Sequence, residues 1–254
     1  MRKIILVLFI LQSAIFSIAQ TGKEPVKVTD LLKIKSISGV NLSKDGGKAI
    51  FTVTSIEPDS DNKLEYKYIT QVWMVNTDGA SSPKQLTTHK ENSSQAVLSP
   101  DGKQIAFVRA VDNKQQVFLL SLEGGEASQL TKHKYGAGNP KWSPDGKQIA
   151  LLTEKGPVRL FDTSGQPAGE LPESRDFVRW SPDGKWLATG HEGPNRLRIY
   201  RRDGVARSPV PLGDWAGVPL AWDGDGTPAH RLESRLWSPD SKWVACTTNG
   251  WDFR

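Results

Sequence analysis

The chain has 254 residues, of which 37% are hydrophobic and 24% charged, with a formal charge of +5 at pH 7. That is enough apolar material for a packed core, which excludes a disordered protein. The positive charge is small and diffuse, and Arg2 and Lys3 supply part of it, so nucleic acid is not an expected partner.

The first element is a leader. Arg2 and Lys3 precede an apolar run from Ile4 to about Ile18, broken by Gln12, Ser13 and Ser17, and Ser17-Ile-Ala19 offers a small-x-small cleavage site before Gln20. The run is short for a membrane span, so residues 1–19 read as a signal peptide, with no stable span after its cleavage. No Cys follows the site, which excludes lipid attachment there. The chain's only cysteine, Cys246, has no partner for an internal disulfide, so the exported fold must rely on packing. A bacterial periplasm suits these features.

Residues 20–37 form a lead-in, and 38–254 are repeats. One phrase recurs: Leu98-Ser-Pro-Asp-Gly-Lys103, Trp142-Ser-Pro-Asp-Gly-Lys147, Trp180-Ser-Pro-Asp-Gly-Lys185 and Trp237-Ser-Pro-Asp-Ser-Lys242, with a worn copy, Leu42-Ser-Lys-Asp-Gly46, ahead of them. In it, Pro presets the backbone at the second turn position, Asp suits the third, and Gly takes the left-handed conformation that closes a short hairpin. Short apolar runs follow each turn: Gln104-Ile-Ala-Phe-Val108, Gln148-Ile-Ala-Leu-Leu152, Trp186-Leu-Ala-Thr189 and Trp243-Val-Ala245. They have strand length and no helical period.

A third strand is expected at Val72–Val75, Val117–Leu120, Val158–Phe161 and Leu197–Tyr200, each followed by a Gly-containing turn. A fourth is expected at Gln85-Leu-Thr87 and Gln129-Leu-Thr131. Each unit is then a four-stranded antiparallel meander, and the fold class is all-β, a β-propeller of about five blades. The aromatic before each turn is expected to wedge between blades. The turn serines Ser43, Ser99, Ser143, Ser181 and Ser238 lie 56, 44, 38 and 57 residues apart. Glu57 to Lys67 reads as an insertion in the first long gap, and Trp222-Asp-Gly-Asp-Gly226 as a degenerate turn in the last. The sequence stops where the third strand of the last unit should begin, so the propeller is expected to be incomplete or open.

A motif that serves the fold in every copy is a poor source of a unique active site, so function is sought between the repeats. His89 and His133 hold matching places in Leu86-Thr-Thr-His-Lys90 and Leu130-Thr-Lys-His-Lys134. The recurring loop accounts for them, and no acidic ligand is near, so no metal is expected. Asp223-Gly-Asp-Gly226 resembles the start of a calcium loop but has Ser234 where the bidentate Glu would stand, and is read as a turn. Arg196, Arg198, Tyr200 and Arg202 alternate with Leu197 and Ile199, placing a basic, aromatic stripe on one strand face. His89, His133, Arg196, Arg198, Tyr200 and Arg202 are therefore the candidate contacts for a peptide or protein ligand. No catalytic, cofactor or metal residue is assigned. Composition also switches near residue 155. Residues 1–150 hold 17 Lys, 2 Arg and 2 Trp, and residues 151–254 hold 3 Lys, 11 Arg and 7 Trp. A junction of two propeller lineages would account for the switch.

From Val28 onward the first half resembles the N-terminal propeller of the prolyl oligopeptidase (S9) family. The residues that carry this are Thr29-Asp-Leu-Leu-Lys-Ile-Lys35, Leu42-Ser-Lys-Asp-Gly46, Gln71-Val-Trp-Met-Val-Asn-Thr-Asp-Gly79, Lys84-Gln-Leu-Thr87 and the phrase beginning at Leu98. The repeated phrase itself is similar to PD40 and WD40 repeats of TolB type. The S9 resemblance implies a filter over an α/β-hydrolase domain whose nucleophile sits in a G-x-S-x-G elbow with Asp and His downstream. No G-x-S-x-G occurs in this chain. Gly79-Ala-Ser-Ser-Pro83 comes nearest and fails at its last position. The implied function is a non-catalytic, exported propeller that gates peptides for a hydrolase domain absent from this sequence. The alternative is a periplasmic TolB- or WD40-like scaffold that binds protein partners through its rim.

Overall fold

The computed structural model describes residues 25–59, 62, 64–172, 174–191, 197–202 and 237–241. A 3-10 segment, Val28–Lys33, enters the first sheet, with Asp30 bonded to the Lys27 amide (2.8 Å) and to Lys33 Nζ (2.7 Å). Among the described residues fifteen strands follow in four antiparallel meanders. Blade I is β1 (Ser36–Leu42), β2 (Lys48–Pro58), β3 (Tyr66–Asn76) and β4 (Lys84–Gln85). Blade II is β5 (Ser93–Leu98), β6 (Gln104–Val111), β7 (Lys114–Ser121) and β8 (Ser128–Gln129). Blade III is β9 (Ala137–Trp142), β10 (Gln148–Thr153), β11 (Val158–Asp162) and β12 (Pro167–Leu171). Blade IV is described as β13 (Ser174–Trp180), β14 (Trp186–His191) and β15 (Leu197–Arg201).

The expected turns, meander and fourth strands are all present in blades I to III. One expectation is corrected. The Glu57 to Lys67 stretch sits in a hairpin, as expected, but its two ends are strand, not loop: β2 and β3 extend into it, with Glu57 paired with Lys67 and Pro58 with Tyr66. Its polar composition masked a longer hairpin. The fourth-strand and last-blade features, including Asp223-Gly-Asp-Gly226 and Cys246, lie outside the described residues beyond Arg202, except for 237–241.

Both faces of a blade are buried against its neighbours, so the strands read as continuous apolar runs. Ile105 and Phe107 of β6 join Ile50 and Val72 of blade I, while the intervening Ala106 and Val108 join Ile149 and Leu151 of blade III. Blade III repeats the scheme, with Ala150 meeting Leu187 of blade IV. The small residue is part of the fit: Ala106 and Ala150 leave room for the larger aliphatic side chains of the next blade.

First strands of successive blades adjoin one another, β1 with β5, β5 with β9 and β9 with β13, so they form the hub and the fourth strands lie outside. Each first strand breaks register once. In the first three, a left-handed residue sits at that break: Gly39 (φ 61°), Gln95 (φ 51°) and Asn139 (φ 51°). These bulges let the inner strands bend at the hub. The aromatics before the turns do wedge between blades, and they also bond across the seams. Indole Nε1 of Trp142 donates to Val97 O (3.3 Å), that of Trp180 to Lys141 O (3.0 Å), and that of Trp237 to Arg179 O (3.4 Å).

Among the described residues the ring is not closed. The face of β1 turned away from blade II keeps Ile37, Val40 and Leu42 at least 60% exposed.

Phe107 is fully buried at the seam between blades I and II and stacks on Phe118 at 5.7 Å. Phe107→Ala should lower unfolding stability by about 3–5 kcal/mol, measured by denaturant titration. A loss below about 1 kcal/mol would mean this seam is not a packed core.

Candidate functional site

The topology gives the propeller two rims with different chemistry. The turn rim carries the Ser-Pro-Asp-Gly turns and the loops between third and fourth strands. In every described turn the Ser hydroxyl donates to the Asp carboxylate, at 2.6 Å for Ser43–Asp45, Ser99–Asp101, Ser181–Asp183 and Ser238–Asp240, and 2.7 Å for Ser143–Asp145. The same hydroxyl accepts an amide proton from the start of the next strand, as from Lys48, Gln104, Gln148 and Trp186 at 2.8–2.9 Å. Gly46, Gly102, Gly146 and Gly184 have φ near +70°, the conformation expected of them. Ser143 and Ser181 are fully buried. These serine–aspartate pairs hold the turns together.

The crossover rim carries the hairpins between second and third strands and the passages from one blade to the next. In it Gln71 and Gln116, both buried, lock equivalent passages. Each side chain accepts from a buried threonine hydroxyl, Thr87 (2.6 Å) or Thr131 (2.8 Å), and donates Nε2–H to the carbonyl of His89 (2.7 Å) or His133 (2.8 Å). The threonine oxygens in turn accept the amides of Val72 and Val117, both at 2.9 Å. Because every polar group in this buried network is paired, it fixes the loops rather than straining them.

The six sequence candidates separate on this frame. His89 and His133 lie in equivalent places on the crossover rim. Each ring accepts a proton from its own loop through Nδ1, from the Glu91 amide (3.0 Å) or the Tyr135 amide (3.4 Å). Among the described residues no group of three or more His, Cys, Asp or Glu could hold a metal. Arg196 lies outside the described residues, and of Arg198 only the backbone, paired with Thr189, is described.

Tyr200 is 3% exposed and donates its hydroxyl to Pro172 O, inside the seam between blades III and IV. Arg202 spans the same seam. Its Nη1 meets Asp145 Oδ2 at 2.7 Å, its Nε meets Gln148 Oε1 at 2.9 Å, and its guanidinium covers the Trp180 ring at 5.4 Å. The ligand-contact stripe expected from Arg196 to Arg202 is thus corrected at Tyr200 and Arg202, because that side of blade IV packs on blade III. They hold blades together.

One cluster was not visible in the sequence. The ring of Tyr135, 42% exposed, lies 5.3 Å from Lys134 Nζ and 5.5 Å from Lys155 Nζ, with the His133 ring 6.2 Å away. Lys134 and Tyr135 belong to the passage into blade III, and Lys155 to the next hairpin of that blade. Toward the hub from this cluster, Gln95 Oε1 accepts the Asn139 amide at 2.6 Å, tying the bulge of blade II to that of blade III. Gly138 beside it is close-packed, since a Cβ there would lie 3.2 Å from Gln95 Oε1 and 3.3 Å from Gln115 Oε1. The site is a rim surface with basic and amide donors over an aromatic ring.

Four-stranded blades, shared seams and hub-side bulges define a β-propeller protein. The model of the tricorn protease N-terminal β-propeller domain matches residues 54–201, more than half of the chain, and the chain belongs to that family. The match runs through the compositional switch near residue 155. The chain is similar to the uncharacterized peptidase YuxL of Bacillus subtilis (strain 168), 29% identical over 108 residues, 41% of this chain and 15% of that protein. Acylaminoacyl peptidase of Pyrococcus horikoshii shares the fold at TM-score 0.51 and 16% identity, over 68% of this chain and 32% of that one. An oligogalacturonate lyase in complex with manganese shares it at 0.56 and 14%, over 80% of this chain and 59% of that one. The chain spans less than two thirds of the length of each of these proteins. The fold thus occurs in proteins of different activities, a lyase and a peptidase among them.

The turn aspartates give the fold an acid-sensitive rim. Burial would raise the Asp145 carboxyl, but hydrogen bonds from Arg202, Ser143 and the Lys147 amide outweigh it and hold Asp145 down to about 2. Hydrogen bonds from the turn serines, first among the causes, likewise lower Asp45, Asp101 and Asp183. A carboxyl whose folded value is depressed stabilises the fold above its unfolded value and loses that contribution as pH falls through the folded one. Stability should therefore decline between about pH 4 and about pH 2. Asp145→Asn should start less stable at neutral pH and show a shallower acid decline by thermal melts across that range. An unchanged slope would remove Asp145 from the account.

Proposed function

We propose that this chain is the non-catalytic propeller portion of an exported S9-type serine peptidase, and that it admits and orients peptides for a hydrolase domain outside this sequence. The observation that carries the reading is the family match to a protease propeller over residues 54–201. The peptidase relative supports it, as does the lack of a G-x-S-x-G elbow in the sequence. The mechanism is steric and needs no nucleophile here. Loops on a rigid blade scaffold admit short extended chains and turn folded proteins away. In this division of labour the turn rim keeps the blades in register, and the crossover rim supplies contact groups.

Export follows from the leader at residues 1–19, cleaved before Gln20. Among the described residues no helix is long and apolar enough to cross a membrane.

Two measurements test the reading. The reading frame of the gene should continue past the Arg254 codon into a hydrolase with a G-x-S-x-G elbow and downstream Asp and His. A stop codon after a completed last blade would favour a protein-binding scaffold instead. Mass spectrometry of the secreted protein should give Gln20 as its first residue, and an intact Met1 terminus in the cytoplasmic fraction would overturn export.

A further inference from the structure

We propose that the Lys134–Tyr135–Lys155 cluster at the junction of blades II and III is a docking point for carboxylate-rich stretches of peptide. This inference rests on the peptide-presenting reading and adds a preference to it.

The repeat does not require the cluster. The equivalent passage into blade II has Lys90-Glu91 where this one has Lys134-Tyr135, so an acid follows the lysine in the first passage and an aromatic ring follows it in the second. Lys155 then arrives from a different loop, and the two ammonium groups approach one ring at 5.3 and 5.5 Å. Among the described residues neither lysine forms an ion pair with a carboxylate.

The arrangement is also held in place before any ligand arrives. Gln116 grips His133 on both sides, accepting its amide at 3.0 Å and donating to its carbonyl at 2.8 Å. The Gly136 amide closes a turn onto His133 O, and the Glu154 amide donates to Gly136 O, both at 3.2 Å. Gly136, at φ 106°, packs so closely that a Cβ would lie 2.8 Å from Glu154 Oε1. Preorganised loops lose little entropy on binding.

The charges placed at the cluster are Lys134 and Lys155 on the ring, with Glu154 against the Gly136 backbone. The balance is positive. Successive carboxylates of an acidic peptide can each meet an ammonium group held beside the half-exposed Tyr135 ring.

The test uses the full chain and two fluorescein-labelled hexapeptides, one with four Glu and one with Gln in their place, read by anisotropy at two salt concentrations. The Glu peptide should bind at least tenfold more tightly, with the difference shrinking as salt rises. K134A/K155A should erase the difference, whereas K134R/K155R should keep it. Equal binding of the two peptides, or a preference that survives K134A/K155A in a variant with an unchanged melting curve, would overturn the proposal. If both peptides bind alike, the docking point falls while peptide presentation stands. If neither binds, the docking point falls and the gene's downstream sequence still decides the broader reading. A labelled oligothymidylate that binds more tightly than the Glu peptide through the same lysines would overturn the assignment to peptides.

Discussion

Every blade between two others must be apolar on both faces, and the rest of the molecule follows from that constraint. An ordinary antiparallel sheet has one wet face, where charge and recognition can be placed freely. Here Ile105 and Phe107 are committed to one seam and Ala106 and Val108 to the other. Variation is thereby confined to loops and to the hub. Even polar side chains at the seams become structural, as with the indole donors of Trp142, Trp180 and Trp237 and the guanidinium of Arg202.

The two rims answer that constraint differently. On the turn rim the same Ser and Asp recur with nearly the same distances, because the turn must deliver the next strand at a fixed angle. On the crossover rim the buried Gln and Thr recur, and His and Lys after them, but then Glu91 stands where the next passage has Tyr135. Invariance of the anchor permits diversity of what it presents, a relation seen wherever binding loops are mounted on a rigid scaffold.

Much of the fold was legible in the sequence because turn chemistry is local. Pro, Asp and Gly at consecutive positions specify a backbone path without reference to the rest of the chain, and Gly46, Gly102, Gly146 and Gly184 adopt it. The apolar triplets after each turn likewise declared their burial. What failed was inference that needed the packing of blades. Alternation at Tyr200 and Arg202 suggested a solvent face because two-residue periodicity says which side chains share a face, not whether that face is wet. The polar hairpin from Glu57 to Lys67 hid two strand ends, since pairing there depends on backbone bonds more than on apolar content. Lys134 and Lys155 lie on separate loops, and only the return of the chain through β9 and β10 brings both to Tyr135. Gln71 and Gln116 gave no signal of burial either, because their value lies in partners that the fold alone supplies.

The exposed face of β1 has a consequence for how the protein is made. Blade I leaves the ribosome first, and its Ile37, Val40 and Leu42 lie on the side away from blade II. Each later blade covers the free side of the one before it, so growth of the stack through blade IV never shields this surface. Among the four described blades, the first to be made is therefore the one whose free face stays open longest. Crowded expression should trap such a chain through that face rather than through its loops.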